Sequence, residues 1–297
     1  MTPPTDTLIH VTDLHFWEVV WNPLALMNKR LLGNANVLYR RRHEFHMAEA
    51  MPFAGHLASL GIRECFVGGD FTSTATHGEY KMGQAFVEDL TRRGMRVQLV
   101  PGNHDVYTFE SVRSGRFAQY FGAYMPPGGY PSRSTLPGGT PLILVPTVCP
   151  NWLSSAGYVT DEEAAATRAL IDACPPGPVL VGGHYPLLHR TATYASGRSR
   201  QLRNARALRT ALGGSGRQIL YVAGHVHRFS YTRDPDYPGL QHLTTGAFFL
   251  RRPGDIIGGA FSTIAIEPGG FAVHAHEYTG AWKSRPLHPV DAPPGRV

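Results

Sequence analysis

The chain has few cysteines, few lysines and no long apolar run, and each shortage closes off a class of protein. Three cysteines, Cys65, Cys149 and Cys174, stand far apart in 297 residues, without a Cys-x-x-Cys pair. That argues against a disulfide scaffold or a thiolate metal site and favours buried free thiols in a reducing compartment. No run approaches the roughly 18 apolar residues of a membrane-spanning helix. The opening Met1-Thr2-Pro3-Pro4-Thr5-Asp6 lacks the basic and apolar regions of a secretory leader. A cytoplasmic protein is the expectation. Lysine occurs three times against 25 arginines, and with 22 acidic residues the net charge is +6. Such a balance suits an anionic ligand or surface without naming one. Charged residues make up only 17% and apolar ones 42%, the proportions of a well-buried globular protein. Histidine, with 15 copies, is the residue in surplus, and its positions carry the information.

Five short apolar runs read as strands, and each ends in a polar cluster. Residues 8–11 run into Thr12-Asp13-Leu14-His15, and 62–67 into Gly68-Gly69-Asp70. Residues 97–100 run into Pro101-Gly102-Asn103-His104-Asp105. Residues 179–181 lead to Gly182-Gly183-His184, and 219–222 to Gly224-His225-Val226-His227. Residues 142–145 form a further strand. Between them, 35–60 reads as largely helical, with Arg40-Arg41-Arg42 exposed and Pro52 bending or dividing it. A helix over 79–93 stops at Gly94. Thr160-Asp161-Glu162-Glu163 has the spacing of a capping box that opens a helix to about residue 173. Another helix is expected over 200–212. Residues 240–245, 260–266 and 271–277 alternate like antiparallel strands. Residues 126–141 are expected to be irregular. With no repeat and no clear linker, one domain over 1–285 is expected, with an apolar insertion at 16–34 and a Pro-rich, irregular tail over 286–297.

Helices between most of these strands indicate an α/β core, in which ligands gather at the carboxyl ends of strands. Seven candidate metal ligands collect there: Asp13, His15, Asp70, Asn103, His184, His225 and His227. Seven exceeds what one tetrahedral zinc needs and suits two ions sharing a bridging carboxylate. In an extended chain, residues two apart share a face, so Asp13 and His15, and likewise His225 and His227, are expected to point into one site. Glycines before Asp70, Asn103, His184 and His225 leave room for close backbone approach. Taken alone, each block is more often a turn or a surface pair. The ordered set of five is what carries the reading.

That set resembles the metallophosphoesterase, or calcineurin-like phosphoesterase, family, whose pattern is Asp-x-His, Gly-Asp, Gly-Asn-His-Asp/Glu, Gly-His and Gly-His-x-His. All five blocks stand in order between Asp13 and His227. The resemblance implies a four-layer α-β-β-α sandwich of two mixed sheets, with metals at the C-terminal strand ends. It also implies that Asp13, His15, Asp70 and His227 hold one divalent ion, and that Asp70, Asn103, His184 and His225 hold the other. His104 would protonate the leaving oxygen or stabilise charge on the phosphoryl group, with Asp105 orienting it, while a hydroxide bridging the metals attacks phosphorus in line. The donors are all nitrogen or oxygen, which admits Mn, Fe, Zn, Co or Ni.

After Asp70 the chain reads Phe71-Thr72-Ser73-Thr74, and Asp105 stands where protein phosphatases of the family have Glu. These forms look more like the bacterial cyclic-nucleotide phosphodiesterase branch. The expected activity is therefore hydrolysis of a small phosphodiester, such as a cyclic nucleotide. The alternatives are a pyrophosphatase acting on a nucleotide-linked lipid and a broad phosphomonoesterase. The apolar, aromatic and cationic segment 16–34 is either a flap touching substrate or the inner membrane face, or a buried subdomain closing the core. His189, Tyr194 and Arg198 are the expected substrate contacts. His10 is expected in the core. No nucleic-acid partner is expected, because aromatics are not interleaved with the basic residues.

Overall fold

The computed structural model describes residues 6–21, 30–152, 154–251 and 258–292. In chain order the strands are β1 (Thr7–Val11), β2 (Glu64–Val67), β3 (Arg96–Leu99), β4 (Ser132–Thr135), β5 (Pro141–Leu144), β6 (Gly157–Tyr158), β7 (Val179–Gly182) and β8 (Leu202–Arg203). They continue as β9 (Ile219–Ala223), β10 (Ser230–Arg233), β11 (Leu240–Thr244), β12 (Ala260–Glu267), β13 (Gly270–Tyr278), β14 (Trp282–Leu287) and β15 (Val290–Asp291). The α-helices are α1 (Arg30–Asn36), α2 (Arg42–Glu44), α3 (Ala50–Ser59), α4 (His77–Arg92), α5 (Phe109–Arg113), α6 (Arg116–Phe121), α7 (Asp161–Asp172) and α8 (Ala205–Gly213).

Two mixed sheets face each other. One has the order β14-β13-β12-β1-β2-β3, the other β15-β10-β11-β9-β7-β5-β4, and β6 pairs with β8 apart from both. The alternation of side chains along a strand builds the layers. Leu8 and Phe66 of the first sheet meet Leu144, Leu180, Leu220 and Val222 of the second in the inter-sheet core. Their neighbours Ile9, Val11, Cys65 and Val67 point the other way, against Phe53 and Leu57 of α3 and Phe86 and Leu90 of α4. On the far side, Val179, Val181, Ile219 and Tyr221 pack on Ile171 of α7 and Leu208 and Leu212 of α8. Strands buried on both faces read as continuous apolar runs, as these do. The result is the expected four-layer α/β sandwich of two mixed sheets.

Local departures have local causes. The helical stretch over 35–60 breaks at Phe45, whose neighbour His46 leaves helical geometry, and not at Pro52. Pro52 sits in the first turn of α3, where its missing N–H has no intrahelical partner to lose. Arg40 and Arg42 are exposed as expected, but Arg41 is buried. A five-residue π-helix, Val37–Arg41, shifts the register between them. Residues 126–141, expected to be irregular, contribute the edge strand β4. The tail is not irregular from Pro286 either: Pro286 lies in the edge strand β14, opposite His274, and β15 extends the other sheet. Residues 293–297 lie outside the described residues.

Capping reads directly from sequence. Thr160 opens α7 by accepting from the Glu163 amide at 3.0 Å and donating its own amide to the Glu163 carboxylate at 2.7 Å. The same box, Thr76 with Glu79, opens α4 two residues earlier than expected. Glu79 is fully buried and also accepts from the Thr74 amide at 2.8 Å, which ties down the loop after Asp70. Burial pushes its carboxyl up to about 7, against the backbone donors that favour ionisation. A folded-state value above the unfolded one means that this contribution is complete below 4.5 and is lost as pH rises through about 7. Stability should therefore fall across that window by on the order of 1 kcal/mol per pH unit from this group. Glu79→Gln, which does not ionise, should remove that component in denaturant titrations at about pH 5 and about pH 7.5. An unchanged slope in the variant would contradict it.

Candidate metal centre

The loops after β1, β2, β3, β7 and β9 meet at one end of the sandwich. Five candidate ligands adopt the left-handed backbone: Asp13 (φ 55°), His15 (50°), Asp70 (55°), His225 (68°) and His227 (54°). Only Ala75 and Asn204 join them among the described non-glycine residues with positive φ. Side-chain-bearing residues there carry strain of about 1–2 kcal/mol each, so the clustering marks a site that surrounding contacts must hold. The expectation that each two-apart pair sits on an extended strand is thus corrected: tight turns beyond the strand ends aim the side chains. Cross-strand bonds fix those turns. The Asp13 amide donates to Gly69 O at 3.0 Å and the His15 amide to Asp70 O at 2.8 Å. The expected room at glycine is real. A Cβ on Gly102 would lie 2.1 Å from the Asp70 amide nitrogen and carboxylate, and one on Gly224 would lie 2.0 Å from Thr12 Oγ1.

All seven candidate ligands converge. Around one point stand Asp13 Oδ1, 3.2 Å from His227 Nε2, and His15 Nε2, which is 3.1 Å from His227 Nε2 and 3.6 Å from Asp70 Oδ2. Around a second stand His184 Nε2, 3.5 Å from the same Asp70 oxygen and 3.1 Å from Asn103 Oδ1, and His225 Nδ1, 2.9 Å from Asn103 Oδ1. Metal–donor bonds of about 2.1 Å place neighbouring donors about 3.0–3.4 Å apart in octahedral or tetrahedral geometry, close to these separations. Asp70 Oδ2 is common to both groups. The clusters Asp13/His15/His227, His15/Asp70/His104 and Asp70/His184/His225 therefore fit a dinuclear divalent-metal centre bridged by a carboxylate.

Surrounding groups fix which ring nitrogen faces inward. His184 Nδ1 donates to Gly68 O at 2.8 Å and His225 Nε2 to Arg200 O at 3.0 Å, leaving the other nitrogen of each for the centre. Burial lowers His184, but Asp70 and then Asp13 more than reverse this and raise it to about 9. Burial, and then His184, hold His225 down at about 3. Burial lifts Asp13, and the His227 imidazole outweighs it to leave a carboxylate well below its ordinary range.

His104 differs from the ligands. Its Nδ1 donates to Ser73 O at 2.7 Å, and its Nε2 lies 2.9 Å from Arg41 Nη2, so both ring nitrogens are engaged by protein groups. The Asp105 carboxylate accepts from the amides of Phe71, Thr72 and Gly102 and from Thr72 Oγ1. Three amides occupy its oxygens, with the single Thr72 hydroxyl hydrogen shared between Asp105 Oδ1 and His104 O. Asp105 therefore pins the His104 loop to the Asp70 loop, and Ser73 O takes the ring-orienting role expected of it.

A cavity of about 1090 Å³ opens over the centre. Tyr194 lines it as expected, whereas His189 and Arg198 do not; Arg198 faces solvent, and its neighbour Arg200 lines the cavity instead. Arg41 lines it too, with Arg40 and Arg228. Sequence reasoning missed Arg41, because nothing in the Arg40-Arg41-Arg42 triplet marks which residue the π-helix turns inward. Arg209, on α8, is structural: its guanidinium grips Asp234 at 2.6 and 2.7 Å. His10 is in the core, bonded to Thr245 Oγ1 at 2.8 Å. In the apolar segment, Phe16 is buried and Trp17 Nε1 donates to Phe45 O, while Trp21 and Leu31 are exposed; residues 22–29 lie outside the described residues. No described helix is long and apolar enough to cross a membrane.

Among solved structures the chain is similar to a dimetal phosphatase from Danio rerio (TM-score 0.63, 14% identity, 95% of this chain and 98% of that one). It is similar to a purple acid phosphatase from yellow lupin, Lupinus luteus (0.62, 11%, 97% and 54%), and to a 5'-nucleotidase from Candida albicans (0.51, 14%, 92% and 52%). The chain spans about half the length of the latter two. No protein-family model and no curated protein sequence matches it. The chain shares its four-layer fold with these structures and carries a candidate dinuclear metal site.

The close contact at Gly102 is testable. Gly102→Ala forces its Cβ onto the Asp70 backbone and carboxylate, so stability should fall by on the order of 3 kcal/mol. Metal content after reconstitution should fall with it. Wild-type melting and metal content in the variant would show that the contact does not matter.

Proposed function

We propose that the protein is a dinuclear metal-dependent phosphoester hydrolase whose substrates are small phosphodiesters, cyclic nucleotides among them. The observation that carries this reading is the sharing of Asp70 Oδ2 between two sets of nitrogen and oxygen donors at the floor of an open cavity. Asp13, His15, Asp70 and His227 would hold one ion, and Asp70, Asn103, His184 and His225 the other. Two such ions supply Lewis acidity toward phosphoryl oxygens and an acidified water at neutral pH. The protein's own groups do the rest. His104 is held by Ser73 O through Nδ1 and turns Nε2 to the cavity, from where it serves the leaving-group oxygen. Asp105 keeps that loop in register with Asp70.

The diester preference is supported by room on both sides of the centre. The cavity runs from Asn36 and Glu44 on one flank to Thr193, Ser196 and Ser199 on the other, which leaves space for two ester arms. The dimetal phosphatase, purple acid phosphatase and 5'-nucleotidase that the chain resembles support phosphate ester hydrolysis more broadly. With metal-loaded protein, bis-p-nitrophenyl phosphate should turn over faster than p-nitrophenyl phosphate, and His104→Ala should abolish turnover while keeping both metals. Faster monoester turnover would replace the diester reading with a phosphomonoesterase. No turnover of either ester with two metals bound would overturn the hydrolase itself.

A further inference from the structure

Arg41 is 9% exposed, yet its guanidinium faces the cavity over the metal centre. Its Nη1 lies 3.0 Å from His15 Nδ1 and its Nη2 lies 2.9 Å from His104 Nε2. It also sits 5.9 Å from the centroid of the Phe45 ring. Among the described residues no carboxylate forms an ion pair with it, unlike Arg30, Arg116 and Arg209, the other buried arginines. Burial weakens the charge on Arg41, and Asp70 and Glu79 offset this only from a distance, since neither pairs with it directly; a buried charge without a directly paired counter-charge is costly.

The backbone bears a second cost to put it there. π-helical turns are rare insertions into α-helices and are found frequently at functional sites. Here five residues, Val37–Arg41, are π-helical between α1 and α2, and Arg41 is buried while Arg40 and Arg42 remain exposed. Arg40 is held outside by Glu44 at 2.9 Å. The fork of two N–H donors matches two oxygens of a phosphate or carboxylate, which a compact ammonium does not.

We propose that Arg41 is a catalytic residue that binds the non-bridging oxygens of the substrate's phosphoryl group beside His104. This rests on the phosphoester hydrolase reading. The phosphate supplies the directly paired anion that the guanidinium lacks, and the helical segment that carries Arg41 becomes part of the active-site wall. The Nη groups exchange their imidazole contacts for the entering anion, with no covalent step.

Inorganic phosphate is the direct probe, titrated calorimetrically into the metal-loaded protein. Arg41→Met keeps the length of the side chain and removes the charge. Phosphate affinity should fall about tenfold or more, as for loss of a charged hydrogen bond, and kcat/KM on the aryl ester should fall about a hundredfold. Metal content should stay at the wild-type level, and Tm should hold or rise because an unpaired buried charge has gone. Wild-type phosphate affinity and kcat/KM in the folded variant would overturn the proposal. Should Arg41→Met not fold, Arg41→Lys decides: it keeps the charge without the fork and should still lose about tenfold in phosphate affinity, and wild-type affinity there would also overturn the proposal. The two readings separate cleanly. Wild-type protein that binds phosphate through Arg41 but hydrolyses no ester sinks the hydrolase alone. Ester turnover unchanged by Arg41→Met sinks the clamp alone.

Discussion

The structure depends on one buried carboxylate oxygen. Asp70 Oδ2 stands 3.6 Å from His15 Nε2 and 3.5 Å from His184 Nε2, where the strand ends of the two sheets come together. His15 belongs to the loop after β1 in one sheet, and His184 to the loop after β7 in the other. Everything around Asp70 serves to keep it there. Gly69 and Gly102 have no Cβ because each would strike the other's loop. The His104 amide donates to Asp70 Oδ1 at 2.7 Å, and Asp105 clamps the two loops from behind. Without a cation, two aspartates and several imidazoles packed at 3–4 Å form an expensive cluster. A shared pair of divalent ions gives that packing a physical reason.

Strain and charge are concentrated in the same place. Five of the seven candidate ligands carry left-handed backbone, and the candidate phosphate-binding guanidinium comes from a π-helical turn. The sandwich below is regular and apolar, with three packed cores and strands buried on both faces. A rigid, well-satisfied scaffold is what allows the loops at one end to hold conformations that isolated chain would not adopt.

Much of this was legible in the sequence. The five apolar runs with polar ends, the glycines beside them and the capping box at Thr160 were all readable, because period, turn chemistry and capping are local properties. The seven candidate ligands stand at the same positions. What misled was geometry that sequence does not encode locally. Spacing by two suggested extended strand for Asp13 and His15, where tertiary bonds to Gly69 O and Asp70 O impose left-handed turns. Acid beside histidine suggests that Asp105 orients the ring, but its carboxylate is taken up by the amides of Phe71, Thr72 and Gly102. Three consecutive arginines looked like a solvated face until a π-helix buried the middle one. Of His189, Tyr194 and Arg198, all downstream of His184 in the chain, only Tyr194 reaches the cavity, where Arg200 joins it.

The role inferred for Asp70 is to join two ions into one centre. Manganese titration followed by electron paramagnetic resonance measures this directly. The expected result is two Mn(II) per chain with an exchange-coupled spectrum, as for ions about 3.5–4 Å apart, and loss of the coupling in Asp70→Asn. One equivalent per chain, or two with the uncoupled signals of isolated ions, would contradict it.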